Sequence, residues 1–432
     1  MRDKSSSINT SVYGWWILAL TSILMLGNYY VYDSIGPVAA QLESELGFTD
    51  SQIGSLNAIY SLPNIFLVLV GGVIVDRFGA SRVALWTTAL CLAGAVLTAW
   101  RGDFITMAAG RFLFGTGAET MVVAVTVSLG IWFARGGVAF AFALSLSIAR
   151  AGSWLADLSP VWAGSVYDKG WQAPLMLAVG FAVLSMLTAI AYRWIDQNKT
   201  PPPPLLPSKA ETEKIRWRDL LSFGTSFWYI LALCVLFYSA IVPYRSTFAI
   251  KYFQHAHDMS LESAGIINSY VYLAAIFATP LFGWIADRYG HRTLSMVFGS
   301  LLLPLAFILA LMGGQAIWAS TIVLGIAYAL IPAVLWPSVI KLVEANRLGT
   351  AYGLLFMLQN VGLTVCNLVA GWLNDLNGAG ADNPAGYGPM IIFFIALSLG
   401  GVVFSIVLWR RELGPNSHGL ELPGAERPGQ QQ

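Results

Sequence analysis

Charged side chains are scarce in this sequence. Lys, Arg, Asp and Glu together make up 11% of its 432 residues, against roughly 25% in ordinary soluble domains, and that deficit excludes a soluble globular protein. What charge there is balances, at 24 basic against 23 acidic residues. The basic excess of a nucleic-acid-binding chain and the acidic excess of a disordered, solvating one are both missing, so no nucleic-acid partner is expected. Cysteine is equally sparse: Cys91, Cys234 and Cys366 fall singly in apolar runs and make neither a disulfide framework nor a metal motif. All four histidines, His255, His257, His291 and His418, fall in expected loops or tails. The apolar segments therefore lack the His, Cys and carboxylate grouping that a membrane-embedded hydrolase needs, and no enzyme activity, cofactor or metal is expected. Residues 1–11 have no apolar stretch ahead of a small-residue cleavage site, so the first apolar segment is expected to stay in place.

Apolar sequence is abundant, at 56% of residues. A bilayer core about 30 Å thick takes ~20 apolar residues per helix. Twelve segments qualify, at 13–42, 51–76, 81–100, 104–133, 138–165, 171–194, 226–252, 260–286, 293–312, 315–342, 347–374 and 388–409. The strongest, Met176–Ile190 and Met390–Leu408, are apolar all round rather than alternating, which favours helices over barrel strands. An all-α membrane protein of twelve transmembrane helices is expected.

With the N-terminus in the cytoplasm, eighteen of the 24 Lys/Arg fall in cytoplasmic segments. Arg101, Lys169 and Lys251 are left outside, and Arg111, Arg150 and Arg245 lie within spans. This is the bias that positive-inside insertion produces, and it makes both termini cytoplasmic. The one long interruption, 196–225 with its Pro201–Pro204 run, reads as an exposed connector between halves at 13–195 and 226–410. Residues 1–12 and 411–432 are then cytoplasmic tails, and the Pro-, Gly- and Gln-rich chain from Gly414 onward is expected to be disordered.

The two halves share a pattern after their second spans. Gly72-Val-Ile-Val-Asp76-Arg77-Phe-Gly79 recurs as Gly283-Trp-Ile-Ala-Asp287-Arg288-Tyr-Gly290, at a constant displacement of 211. Gly lets helices approach, Asp and Arg bridge or cap helix ends, and the second Gly turns the chain. A tight structural turn and a conformational latch are both compatible with this chemistry. Twelve spans with this loop resemble the major facilitator superfamily, although Ala80-Ser81 stand before Arg82 where that family usually has a basic pair. The resemblance implies two six-helix bundles around a cavity that opens alternately to either side, as in other repeat-built transporters.

Ionisable residues inside spans are candidates for function because a charge at the bilayer centre costs at least ~2.5–3.5 kcal/mol. Glu119 and Arg150 stand about 15 residues, or ~23 Å of helix, either side of the turn Ala134-Arg135-Gly136-Gly137, hence at one depth near the midplane. They either neutralise each other as a buried pair or face a cavity, the carboxylate awaiting an ammonium and the guanidinium a carboxylate. Neighbouring helix axes are ~8–10 Å apart, and a dipeptide spans at most ~7 Å, so a zwitterion of that length suits the second arrangement.

Tyr60-Ser-Leu-Pro63-Asn64, Gly110-Arg-Phe-Leu-Phe-Gly-Thr-Gly-Ala-Glu119, Ser147-Ile-Ala-Arg150, Leu335-Trp336-Pro337 and Leu348-Gly-Thr-Ala-Tyr-Gly353 are similar to the branch of the superfamily that includes the lysosomal dipeptide uniporter of animals. That resemblance implies facilitated movement of dipeptides, with Glu119 on the peptide amino end and Arg150 on its carboxyl end. A proton-coupled or exchange transporter of other small organic ions or drugs is the alternative.

Asp33, Arg111, Asp157 and Arg245 are possible coupling or gating residues. Asp33 and Asp157 stand at a height from which both reach Arg111, while Arg245 either snorkels outward or offers a second carboxylate anchor. Asn57, Asn64, Tyr238, Asn268, Trp336, Asn360 and Asn367 are weaker candidates for the substrate amide and side chains, most of them expected to be packing contacts. The glycosylation consensus sites Asn9-Thr-Ser11 and Asn198-Lys-Thr200 are both cytoplasmic in this topology, and residues 1–11 hold no acidic dileucine signal. A cell-membrane, monomeric protein whose partners are the lipid bilayer and a dipeptide-like zwitterion is therefore expected.

Overall fold

A computed structural model describes residues 4–134, 137–199, 223–344, 347–415 and 417–423, and these residues are helical with short connections. The main helices are α1 (Lys4–Asp33), α2 (Ile35–Leu46), α3 (Asp50–Ser61), α4 (Asn64–Phe78), α5 (Ala80–Trp100), α6 (Phe104–Trp132), α7 (Val138–Asp157) and α8 (Gln172–Asn198). They continue with α9 (Thr225–Pro243), α10 (Ala249–His257), α11 (Leu261–Tyr289), α12 (Arg292–Met312), α13 (Ala316–Leu342), α14 (Leu348–Leu376) and α15 (Gly388–Glu412).

Their starts follow from local chemistry. Asp103 caps α6 by accepting the Thr106 N–H at 2.9 Å, and Ser260 caps α11 by accepting the Ser263 N–H at 3.2 Å. The Thr106 N–H holds the Asp103 carboxyl below its ordinary range, so this aid to the helix start is present above the unfolded pKa and is lost as pH falls.

Among the described residues ten helices are long and apolar enough to cross a bilayer, or eleven if the pieces Asp50–Val68 and Val70–Phe78, at 64° to each other, are one span. The sequence predicts twelve. The expected span at 138–165, which holds α7 with its Arg150 and Asp157, is not among them. Large apolar side chains such as Phe66, Ile105, Leu187, Phe277, Phe298 and Met312 are exposed, as they are when lipid rather than water is the solvent.

The chain forms two compact units, Met1–Gly47 with Ile59–Thr212 and Phe48–Ala58 with Glu213–Gln432. The expected connector lies mostly outside the described residues, at 200–222. In the first unit α1 packs on α7 and α8, and α5 on α6 and α8. In the second, α12 packs on α13 and α15, α9 on α14 and α15, and α11 on α13. The core of this unit includes a ring cluster in which Phe307 stacks on Phe394 at 5.6 Å and Tyr244 meets Phe307 edge-on at 5.1 Å.

Helix contact is closest where glycine removes a side chain. A Cβ on Gly152 of α7 would lie 2.0 Å from the Leu26 carbonyl oxygen of α1. Backbone cannot yield as a side-chain tip can, so Gly152→Val must push the two helices apart, at a cost of about 1–3 kcal/mol or more. The expected result is a lowered unfolding temperature in detergent, whereas Gly180→Ala, with nothing within 4 Å of its Cβ position, leaves it unchanged.

Candidate functional site

In the first unit the candidate charges gather on one face of α6. Arg111, Gly115 and Glu119 are spaced by four, so they stack along a single stripe. Gly115 brings that stripe against the end of α3, where an added Cβ would stand 2.1 Å from the Tyr60 carbonyl oxygen. The Tyr60 hydroxyl donates to the Glu119 carboxylate. Glu119 itself is only half-buried, whereas Tyr60 is buried.

Arg111 is 1% exposed and serves the end of α1. Its guanidinium donates to the carbonyls of Val31 and Tyr32, both at 3.3 Å. These are among the last carbonyls of α1, which lack intrahelical partners and carry the negative end of the helix dipole. The rings of Tyr32, Tyr60 and Phe114 surround the same cation at 5.6, 5.4 and 5.4 Å. Asp33, also buried, lies within its electrostatic reach. Asp157 interacts electrostatically with Tyr167 at the far end of α7.

Arg150 is buried on α7, twelve residues after Val138, and Glu119 stands thirteen residues before Trp132 on α6. At ~1.5 Å per residue the two occupy the same height on their helices to within ~2 Å. The hairpin arms are not packed along their lengths, however: the chief neighbour of α7 is α1, and that of α6 is α5. The ordinary spacing of adjacent helix axes therefore does not apply to this pair.

In the second unit the polar candidates mostly serve an irregular turn. Pro243 ends α9, and Tyr244–Phe248 form a π-helical turn before α10, the kind of bulge that displaces backbone groups from the regular ladder. Asn268 donates to the Arg245 carbonyl at 3.2 Å. Asn57 donates to the Thr247 hydroxyl at 2.7 Å, and that hydroxyl donates to Asn367 Oδ1 at 2.8 Å. Asn360 bonds the Phe356 carbonyl one turn back, as Asn64 of the first unit does that of Tyr60. Arg245 does not snorkel: it is 2% exposed, with its guanidinium 3.9 Å from the centre of the Tyr272 ring. Trp336 donates its indole N–H to the Tyr238 hydroxyl at 3.0 Å and stacks on Phe356 at 4.7 Å.

Sequence reasoning counts Lys251 on the outer side, at the end of the 226–252 segment, and gives it no partner; the structure supplies one. Lys251 is buried in α10 and pairs with Asp50 Oδ1 at 2.5 Å, both side chains being under 3% exposed. Asn374 donates to the other Asp50 oxygen at 2.9 Å. Asp375 accepts the N–H groups of Asp50 and Ser51 at 2.8 and 2.9 Å, capping α3. Tyr60 and Asp50 are thus two polar residues that sequence reasoning leaves out of the site. The signals present for them are a tyrosine opposite the Gly-x-x-x-Glu stripe and an acid at a helix start.

The repeated loops differ from each other. Asp76, Arg77 and Gly79 are exposed, and Gly79 turns at φ +85° with nothing near its Cβ position. Ser81, which replaces a basic residue of the family pattern, donates to Asp196 and accepts from Arg193 at 2.9 Å. In the second copy Asp287 pairs with Arg292, Arg288 lies over the Trp284 and Tyr289 rings, and Gly290 turns at φ +76° but is buried.

Residues 18–254 and 245–422 match the Major Facilitator Superfamily, and the chain belongs to it: a multi-pass membrane transporter that works by alternating access, not an enzyme. It is related to the lysosomal dipeptide transporter branch. It is 30% identical over 404 residues to the lysosomal dipeptide transporter MFSD1 of Bos taurus, covering 90% of this chain and 84% of that protein. With the protein of the same description from Homo sapiens it shares 29% over 92% of this chain and 87% of that one. Among solved structures, a bacterial homolog to the human lysosomal transporter Spinster superposes with a TM-score of 0.72 at 14% identity, over 92% of this chain and 95% of that one. The nucleoside transporter NupG gives 0.71 at 16%, over 91% and 99%. Both share the fold.

Proposed function

We propose that this transporter moves dipeptides by uniport, with Glu119 holding the peptide ammonium and Arg150 its carboxylate. The observation that carries the reading is the pair of opposite charges at one helical height on two arms that each pack against a different helix. Glu119 keeps part of its surface open while Tyr60 fixes its orientation. The Bos taurus and Homo sapiens relatives, described as dipeptide transporters over most of their length, support the same substrate class. A zwitterion neutralises both charges at once, which lowers the cost of closing a low-dielectric cavity around them.

In this reading the chain forms two six-helix bundles in a cell membrane, monomeric, with both termini cytoplasmic. The loop of Gly72, Asp76, Arg77 and Gly79 acts as a conformational latch. Uptake of labelled dipeptides into proteoliposomes tests it. Transport of the free dipeptide, and none of its N-acetylated or C-amidated forms, is the expected outcome; equal transport of a blocked form excludes the two-ended grip. Rates unaffected by an imposed pH gradient or membrane potential identify uniport, and a dependence on either identifies coupling.

A further inference from the structure

The chain after α15 is expected from its composition to be disordered, yet residues 417–423 are docked on the second unit. The docking is specific. Glu412, the last residue of α15 and 4% exposed, accepts the His418 N–H at 2.8 Å, His418 Nδ1 at 2.7 Å and the Leu420 N–H at 3.4 Å. Leu420 is fully buried. Lys341, at the end of α13, donates to the Gly419 carbonyl at 2.9 Å.

Glu421 then covers the start of α12. Its backbone carbonyl accepts the His291 N–H at 3.0 Å, and that of Leu420 accepts the Arg292 N–H at 3.3 Å. Its carboxylate accepts the N–H groups of Thr293 and Leu294, at 2.9 and 3.3 Å, and the Thr293 hydroxyl. His291 Nδ1 meets the other carboxylate oxygen at 3.2 Å. Four successive N–H groups at a helix start, normally left to water or to a single capping side chain, are all taken by two residues of the tail. The carboxylate also lies at the positive end of the α12 dipole. Beneath it, a Cβ on Gly290 would stand 2.4 Å from the Glu421 carbonyl oxygen, so the glycine of the repeated loop is the surface on which the tail rests.

We propose that residues 418–422 are a cross-brace that ties the ends of α12, α13 and α15 together, so that the second half rocks as one body during transport. One short segment touches three helix ends that share no covalent connection nearby. It covers Gly290 of the second copy, whose Asp287 and Arg288 stay exposed, whereas among the described residues nothing stands near the Cβ position of Gly79 in the first copy. The two copies are then unequal: the second is a fixed anchor, and only the first is free to switch. Alternating access moves rigid halves, and a half whose helix ends slip transmits less of that motion. Loss of the brace therefore lowers the transport rate and leaves substrate affinity alone.

Hydrogen exchange and uptake on the full-length protein test this, with Glu421→Ala, Leu420→Ala and a chain ending at residue 417, against a control ending at residue 423. Amides at 291–294 are expected to exchange about tenfold faster in each of the three, the equivalent of losing one or two net hydrogen bonds. Amides near Lys341 and Glu412 are expected to loosen with them, and the control matches the wild type. In uptake of whichever dipeptide the wild type carries, Vmax falls severalfold and KM is unchanged.

Faster exchange confined to 291–294 overturns the brace and leaves a simple helix cap. Unchanged Vmax with loosened amides also overturns it. If the shortened chain fails to fold, Glu421→Ala decides alone. If the wild type carries no dipeptide, the substrate reading fails separately, and concerted loosening of the three helix ends still decides the brace.

Discussion

Glu119→Gln and Arg150→Gln are each expected to abolish measurable dipeptide uptake at micromolar substrate while leaving a folded protein. A hydrogen bond to a charged group contributes about 1.5–3 kcal/mol, so the loss of one terminus weakens binding by about 10- to 100-fold. Neutralising one member also leaves the other charge uncompensated when the cavity closes, which adds to the barrier. The Gln side chain still accepts the Tyr60 hydroxyl, so the α3–α6 contact survives and the unfolding temperature stays near that of the wild type. Tyr60→Phe, which removes only the orienting donor, is expected to lower affinity by less than either charge variant. Thermal stabilisation by added dipeptide gives an independent reading of binding, lost in Glu119→Gln and Arg150→Gln and weakened in Tyr60→Phe. Wild-type uptake in both charge variants excludes the proposed grip.

The largest stability effect is expected at Lys251. Lys251→Met leaves Asp50 buried without its cation, and breaking one side of a buried ion pair destabilises by about 3–5 kcal/mol. The change has no counterpart at an exposed lysine such as Lys169, where Lys169→Met is near neutral. The double variant Asp50→Asn/Lys251→Met removes both charges and keeps an acceptor for the Asn374 amide at 2.9 Å, so it is expected to regain most of the loss. Unfolding temperatures of the purified protein in one detergent give the comparison. A single variant as stable as the wild type means that the pair is not the anchor that its burial indicates.

The spans were legible because partition into lipid is a local property: twenty apolar residues in a row are enough to mark a helix whatever it packs against. The repeated Gly-Asp-Arg-Gly loops were legible for a related reason, since a repeat is carried by the residues themselves, and helical rise turns the residue counts of Glu119 and Arg150 into an expected common depth. Side-chain partners were not legible. Lys251 and Lys169 look alike as lysines near helix ends, yet one is sealed against Asp50. Arg245 has a stem long enough to reach water, but a Tyr272 ring 3.9 Å away holds it inside. The tail has a disordered composition, and what orders it is a set of unfilled N–H donors that belong to α12, more than a hundred residues earlier.

By itself the sequence determined the solvent of this protein, the helical character of its spans, the twofold repeat, and which charges would have to be explained. Tertiary structure decided which way each helix face turns and therefore what each charge meets: a helix end for Arg111, a tyrosine hydroxyl for Glu119, a buried acid for Lys251. Burial in lipid depends on the sum of a segment's own residues, whereas a partner depends on the rotation and proximity of a second segment, and no stretch of sequence carries that on its own.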